Sequence, residues 1–111
     1  MRSGGRSPAL VCNPDALAPE QRRKHHDVAV ELFRLAGANR ELPNGLEFQF
    51  LNEESTLALV TEFIVDEEVC CPFLDCDVHI KPQESLLQLS LTGPENTTEF
   101  LQAEFADFLQ S

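Results

Sequence analysis

Two adjacent cysteines and a nearby glutamate form the part of this sequence best suited to chemistry. Cys70 and Cys71 precede Pro72, and Glu67 lies three residues before the first cysteine. At 3.6 residues per turn, Glu67 and Cys70 continue the apolar face of the helix predicted before them. A carboxylate and a thiol therefore lie side by side near the core. Such groups bind metal ions or transfer protons, so the segment predicts a metal site or a thiol reaction centre.

The two neighbouring sulfurs are not expected to bond to each other. Consecutive Cα atoms are about 3.8 Å apart, whereas a disulfide prefers about 4.4–6.8 Å. Pro72 disfavours the α region for the residue before it, which predicts a helix end at Cys71. The helix dipole disfavours a thiolate at such an end, so a reactive thiol there would need a cation, for which a soft metal ion is suited. The alternative is that these thiols only pack as small hydrophobes.

Other candidate ligands lie elsewhere in the chain. Cys12 ends a short apolar run, where it is either a buried thiol or a ligand. His25 extends the apolar stripe of the first predicted helix and His26 lies on its flank, and imidazole is a common metal ligand and proton carrier. Cys76 falls on the apolar face of a predicted strand, which favours packing over ligation.

Charge and composition limit the classes of partner. The chain has 19 acidic residues and 8 lysines and arginines, which gives a net charge of −11, and it lacks Trp and Tyr. We therefore expect neither nucleic acid nor an anionic membrane as a partner. No apolar run approaches the roughly 18 residues that span a bilayer, and the first residues do not resemble a signal peptide. These features predict a cytoplasmic protein with reduced thiols.

Periodicity predicts a two-layer α+β domain over residues 9–111, preceded by a mobile tail at residues 1–8. A small, mostly antiparallel sheet of three or four strands carries helices on one face. The first predicted elements are a strand at 9–12, or else a segment packed under the next helix, then a helix over about 19–36 and a strand at 46–50. A second helix follows Ser55, with Asn52 as a competing N-cap, and ends near residue 71. A hairpin of strands 76–80 and 87–91 precedes a last helix from about residue 95 or 97 to 110. The predicted core consists of Leu46, Phe48, Phe50, Val60, Phe63, Val78, Ile80, Leu87, Leu89, Leu91, Leu101 and Phe105.

The sequence resembles a group of small uncharacterised bacterial proteins over about residues 10–109. The resemblance rests on the motif E-x-x-C-C-P-F at residues 67–73, on L-T-G-P-E at residues 91–95 and on E-L-P-N-G at residues 41–45. An early Cys12, followed by Arg22 and His25, completes the pattern. The group has no settled activity to carry over to this chain.

The resemblance implies a shared site at Cys12, Glu67, Cys70 and Cys71. It also implies that Cys12 lies close enough to Cys70 or Cys71 to share a ligand, or to form a disulfide on oxidation. In the related proteins an aromatic residue usually takes the position of Cys76, which supports a packing role for this cysteine.

The leading hypothesis is a protein that binds a soft metal ion, such as Zn²⁺, Cu⁺ or Hg²⁺, or a small thiophilic ligand. The candidate ligands are Cys12, Cys70, Cys71, Glu67 and His25. A buried Glu67 needs compensation, from a metal, from helix-end hydrogen bonds or from a cation such as His25 or Arg22. One alternative is a redox or transfer enzyme whose cysteines react while Glu67 carries the proton. Another is an acidic protein-interaction module. No motif suggests a nucleotide or a flavin.

Overall fold

The computed structural model describes residues 12–109. The predicted mobile tail and most of the possible strand at 9–12 lie outside this range, and Cys12 itself is in no strand. The elements are α1 Pro19–Arg34, β1 Ala38–Leu42, β2 Gly45–Leu51, α2 Glu54–Cys70, β3 Asp75–Lys81, β4 Leu86–Thr92, α3 Thr97–Glu104 and α4 Ala106–Leu109. Short 3-10 helices lie at Pro14–Ala16 and Pro82–Glu84. Within the described range, each helix is too short or too polar to cross a membrane.

The strands form one antiparallel sheet in the spatial order β1-β2-β4-β3. Phe48 of β2 is paired with Leu89 of β4, and both side chains are buried. The inward side chains of these central strands meet apolar residues of α1, α2 and α3, among them Leu32, Phe63 and Leu101, in one core. The structure confirms the predicted α+β fold, including the hairpin of β3 and β4.

The first strand was not predicted. The side chains of β1 are exposed except for the half-buried Leu42, so the strand lacks the alternation that identifies a half-buried strand. Leu42 is paired with Gly45 across the two-residue turn Pro43-Asn44. A Cβ atom at Gly45 would collide with the carbonyl group of Leu91 in β4, so glycine permits the close approach of these strands.

Two residues of the predicted core are exposed. Val78 is 39% exposed and Ile80 is 38% exposed, whereas the other predicted core residues are buried. The reason is topological, because β3 lies at the edge of the sheet and its side chains have neighbours on one side only. Alternation along the strand identified the inward face but gave no information about the order of the strands.

The helix that carries the cysteine doublet follows the predicted pattern. Glu67 and Cys70 continue its buried face as predicted, together with Thr56, Val60 and Phe63. The helix ends where Pro72 predicts, and the N–H of Cys71 donates to the carbonyl oxygen of Glu67 at 2.7 Å. The last predicted helix is divided at Phe105. The rings of Phe105 and Phe108 each lie 5.3 Å from that of Phe33, so Phe105 belongs to the core as predicted and Phe108 packs against it.

Candidate metal centre

The last turn of α2 places a carboxylate and a thiol together in the interior. Glu67 is 3% exposed and Cys70 is 7% exposed. The Sγ atom of Cys70 lies 3.8 Å from Oε1 of Glu67, to which the thiol donates. Both groups lie on the buried face of α2, because Glu67 comes four residues after Phe63 and Cys70 comes three residues after Glu67.

An imidazole from α1 completes this group. Nε2 of His25 lies 2.8 Å from Oε1 of Glu67, and its ring is stacked on Phe63 with the centroids 5.3 Å apart. Helix α1 packs along α2, where Gln21 donates to Asp66 at 2.7 Å and Lys24 pairs with Glu62 at 3.1 Å. Burial of Glu67 is therefore compensated by a contact with histidine, one of the predicted possibilities.

The second nitrogen of His25 faces another acidic residue. Nδ1 is buried and has no hydrogen-bond partner within residues 12–109. Oδ2 of Asp66 lies 4.0 Å from this nitrogen. Asp66 is 8% exposed and is held in place by the amide of Gln21. His25 thus lies between two buried carboxylates, one near each ring nitrogen.

Arg22 lines a cavity together with Glu67, but it does not pair with that carboxylate, which was the contact considered from the sequence. Its guanidinium lies 3.5 Å from the carboxylate of Asp15, and Asp15 is exposed. No contact between Arg22 and Glu67 occurs among the described hydrogen bonds and ion pairs. Nε of Arg22 is buried without a partner in the same part of the chain.

A disulfide joins Cys12 to Cys71 across 59 residues of sequence. The prediction of reduced thiols is wrong for this pair. Folding brings the first described residues against the end of α2, where the N–H of Asn13 donates to the carbonyl oxygen of Cys70 at 2.6 Å. The expected proximity of Cys12 to the doublet is confirmed, and Cys71 is its partner.

Cys70 remains a free thiol beside this disulfide. The Sγ atoms of Cys70 and Cys71 are 3.5 Å apart and are not bonded, as the geometry of adjacent residues predicts. Among residues 12–109, two groups of possible ligand atoms have all their members within 4.8 Å of one another. One contains Cys12, Glu67 and Cys71, and the other contains His25, Glu67 and Cys70. Glu67 belongs to both groups, so the structure brings all five sequence-predicted residues together.

The surroundings of Cys70 disfavour negative charge. Burial, followed by the adjacent carboxylate of Glu67 and the more distant ones of Glu104 and Asp66, raises the pKa of this thiol from 9.0 to about 12. The thiol is therefore protonated near neutral pH. A thiolate would form here only if a cation offset the surrounding carboxylates.

A cavity of about 240 Å³ opens beside these groups. Cys12, His25, Glu67 and Cys70 contribute to its lining, and part of its wall is aromatic. His26 also lines the cavity but belongs to neither group of possible ligands. Two larger cavities, of about 440 and 590 Å³, have neither cysteine nor histidine among their described lining residues.

Sequence reasoning missed two acidic residues near this centre. Asp66 is adjacent to Glu67 but was not among the candidate ligands. Glu104 in α3 lines the cavity and was not considered. Its position three residues after the inward-facing Leu101 was an available signal, because residues at that spacing share a helical face.

The fourth cysteine, Cys76, packs against the core and is not part of the candidate metal centre. Cys76 on β3 is half-buried, packs against the core and belongs to neither group of possible ligands in the described structure. Burial and nearby carboxylates, first Glu67 and then Glu68, raise the pKa of its thiol to about 12. The predicted packing of Cys76 is confirmed.

Comparisons of the chain with protein-family models, with curated proteins and with solved structures found no significant match. The resemblance to small bacterial proteins therefore stays a prediction. The geometry of the centre is the basis on which a function can be assigned.

Proposed function

We propose that this protein binds a soft or borderline metal ion at the centre formed by His25, Glu67 and Cys70. The observation that carries the proposal is the position of Oε1 of Glu67, which is 2.8 Å from Nε2 of His25 and 3.8 Å from Sγ of Cys70. A nitrogen, an oxygen and a sulfur thus converge in the interior. This donor set suits Zn²⁺ and also suits thiophilic ions such as Cu⁺ and Hg²⁺.

The distances are close to those of a tetrahedral zinc site. Zinc bonds of about 2.0–2.3 Å place neighbouring ligand atoms about 3.3–3.7 Å apart. The separation of 3.8 Å between Sγ of Cys70 and Oε1 of Glu67 is about 0.1 Å longer than this range. The separation between His25 and Glu67 is shorter because a hydrogen bond joins them, and an increase of about 0.6 Å would admit the ion in place of the proton.

The residue near the other ring nitrogen of His25 supports the same proposal. A histidine that binds metal through one ring nitrogen usually donates from the other to a carboxylate or carbonyl group. In this protein Asp66 lies 4.0 Å from Nδ1 of His25 and is itself held by Gln21. With metal on Nε2, the proton of His25 would move to Nδ1 and face Asp66.

Charge also favours a cation at this centre. Glu67 and Asp66 are both buried and share one basic neighbour, His25, and the described hydrogen-bond and ion-pair partners of the two carboxylates include neither lysine nor arginine. Buried carboxylates are costly unless they are paired or coordinate a metal. The carboxylates that disfavour a thiolate in the metal-free protein would stabilise a dication bound beside it.

The biological setting is part of the proposal. We propose a cytoplasmic location, where reducing conditions would open the Cys12–Cys71 disulfide and make both sulfurs available as additional ligands. The resemblance to the bacterial group implies a site at Cys12, Glu67, Cys70 and Cys71. We propose the metal ion or a small thiophilic ligand as the partner, and neither nucleic acid nor a membrane.

Zinc competition titrations of reduced protein test the proposal. Glu67→Gln keeps the shape of the side chain and removes its charge, so we expect affinity for Zn²⁺ to fall at least about tenfold. Glu68→Gln is the matched control, because Glu68 is adjacent on the same helix but exposed. Equal affinities of the two variants, or an absence of Zn²⁺ binding by the unsubstituted protein, would refute the proposal.

A thiol redox activity is the second candidate. The observation in its favour is the free thiol of Cys70 at 3.5 Å from Sγ of Cys71 in a disulfide. The thiolate is the attacking species in disulfide exchange, and the pKa of about 12 leaves little thiolate on Cys70 at neutral pH. For this reason metal binding is the better supported function. Rapid reduction of an external disulfide by the reduced protein, lost in Cys70→Ser, would favour the second candidate.

A further inference from the structure

We infer that the Cys12–Cys71 disulfide is a redox gate on the proposed metal centre, withholding two sulfur ligands when oxidised and supplying them when reduced. The inference rests on the proposed function. It adds a regulator of metal binding, which is the pool of small thiols and disulfides such as glutathione.

The sulfur of Cys71 cannot be part of the disulfide and bind a metal ion as a thiolate at the same time. Its sulfur is bonded to Cys12, lies 3.5 Å from the sulfur of Cys70, and belongs with Glu67 to one group of possible ligands. Thiolates are the sulfur ligands of metal ions, and a disulfide sulfur carries no such charge. In the oxidised state the centre offers His25, Glu67 and Cys70 alone. In the reduced state it gains two thiols at positions that the fold has already set.

Noncovalent contacts hold Cys12 near the centre when the bond is broken. The N–H of Asn13 donates to the carbonyl oxygen of Cys70, and Asp15 lies 3.5 Å from Arg22 of α1. Leu17 is buried in the core at 7% exposure. These anchors belong to the segment that follows Cys12, so reduction frees its sulfur while keeping it beside the cavity.

The accessible sulfur determines how the gate opens. Cys71 is 1% exposed, whereas Cys12 is less buried and lines the cavity. An external thiolate therefore attacks Sγ of Cys12, the Cys12–Cys71 bond breaks, and Cys71 leaves as a thiolate that takes a proton from water. A second external thiolate then attacks the mixed disulfide. Cys12 is released as a thiol, and two molecules of external thiol have become one disulfide, which accounts for both electrons.

Metal binding and reduction must reinforce each other. An ion that binds the reduced form more tightly stabilises that form by mass action. If the reduced form binds Zn²⁺ 100-fold more tightly, saturating metal raises the midpoint potential of the Cys12–Cys71 couple by about 59 mV, because each tenfold change corresponds to 29.6 mV. Metal then protects the dithiol, and oxidation by a disulfide such as oxidised glutathione expels the ion.

The test measures Zn²⁺ affinity for the unsubstituted protein in its oxidised and reduced states, by competition with a chromophoric chelator. Circular dichroism confirms that each state is folded. We expect the reduced state to bind at least 100-fold more tightly, and stoichiometric oxidised glutathione to release the ion from the reduced complex. In Cys12→Ser the affinity should be weaker than that of the reduced protein and insensitive to the redox state. Cys76→Ser is the control and should keep the full difference.

The outcomes separate the two proposals. Equal Zn²⁺ binding in both redox states would overturn the gate and leave the metal site in place. Zn²⁺ binding by neither state would overturn both. A redox difference that persists in Cys12→Ser would overturn the gate by showing that another group responds to the reductant.

Discussion

Replacing Glu67 by glutamine should make the thiol of Cys70 more reactive even when no metal is present. The carboxylate lies 3.8 Å from Sγ, and after burial it is the main cause of the raised pKa of Cys70. At an effective dielectric constant of about 20, two unit charges at this separation repel each other by about 4 kcal/mol. Each 1.36 kcal/mol changes the thiolate population tenfold, so this repulsion sets an upper limit of about 1000-fold.

Reactivity should rise less than the thiolate population. A thiolate of lower pKa is a weaker nucleophile, with a Brønsted coefficient of about 0.4–0.5, so roughly half of the gain on a logarithmic scale is lost. We expect Cys70 to be alkylated about 3- to 30-fold faster at pH 8 in Glu67→Gln than in the parent. The amide of the new glutamine can also donate to the thiolate, which acts in the same direction.

Iodoacetamide labelling followed by mass spectrometry measures this effect. Oxidised protein carrying Cys76→Ser is the appropriate parent, because Cys70 is then the free thiol among the described cysteines. Glu68→Gln in the same parent is the control, with an expected change of less than about twofold because that carboxylate is exposed and screened. Equal labelling rates in Glu67→Gln and Glu68→Gln would show that Glu67 does not control the thiol.

Two further predictions concern stability. Phe48→Ala should lower the free energy of unfolding, measured by urea denaturation, by about 3–5 kcal/mol because it empties a central core position. Val78→Ala on the exposed edge strand should lower it by less than about 1.5 kcal/mol. Similar losses would contradict the assigned core. The free energy of unfolding should also fall as the pH rises from 9 towards 12, because the thiol of Cys70 loses its proton near pH 9 in the unfolded chain but keeps it to about pH 12 in the folded protein. Cys70→Ser should show a shallower decline over this window. Parallel declines would contradict the raised pKa.

The helical half of the site could be predicted from sequence because it depends on local periodicity. The spacing of Phe63, Glu67 and Cys70 places all three on one face, whatever that face packs against. Pro72 restricts the residue before it, so the helix end at Cys71 was also a local inference. Both features are present in the structure.

Contacts between distant segments were beyond local rules. Spacing alone does not reveal whether Glu67 meets His25 or Arg22, because that choice depends on how α1 is rotated against α2. Which cysteine of the doublet pairs with Cys12 depends on the path of the first described residues. On this path the N–H of Asn13 donates to the carbonyl oxygen of Cys70, and Cys12 bonds to Cys71. These are tertiary contacts, set by the packing of whole elements.

The sheet shows the same division. Alternation predicted β2, β3 and β4 because each has an apolar face, and it missed β1 because nearly all of its side chains are exposed. The exposure of Val78 and Ile80 follows from the place of β3 at the sheet edge. Strand order is a property of the whole sheet, and these two residues are where its effect appears.

X-ray absorption spectroscopy of reduced protein loaded with one equivalent of Zn²⁺ tests the central claim most directly, because it counts the atoms bound to the ion. With the disulfide open, we expect sulfur ligands at about 2.3 Å together with nitrogen or oxygen at about 2.0–2.1 Å. The sulfur contribution should decrease in Cys70→Ser and stay unchanged in Cys76→Ser. A first shell of oxygen and nitrogen alone, or a spectrum that Cys70→Ser leaves unchanged, would contradict a metal centre built on this cysteine.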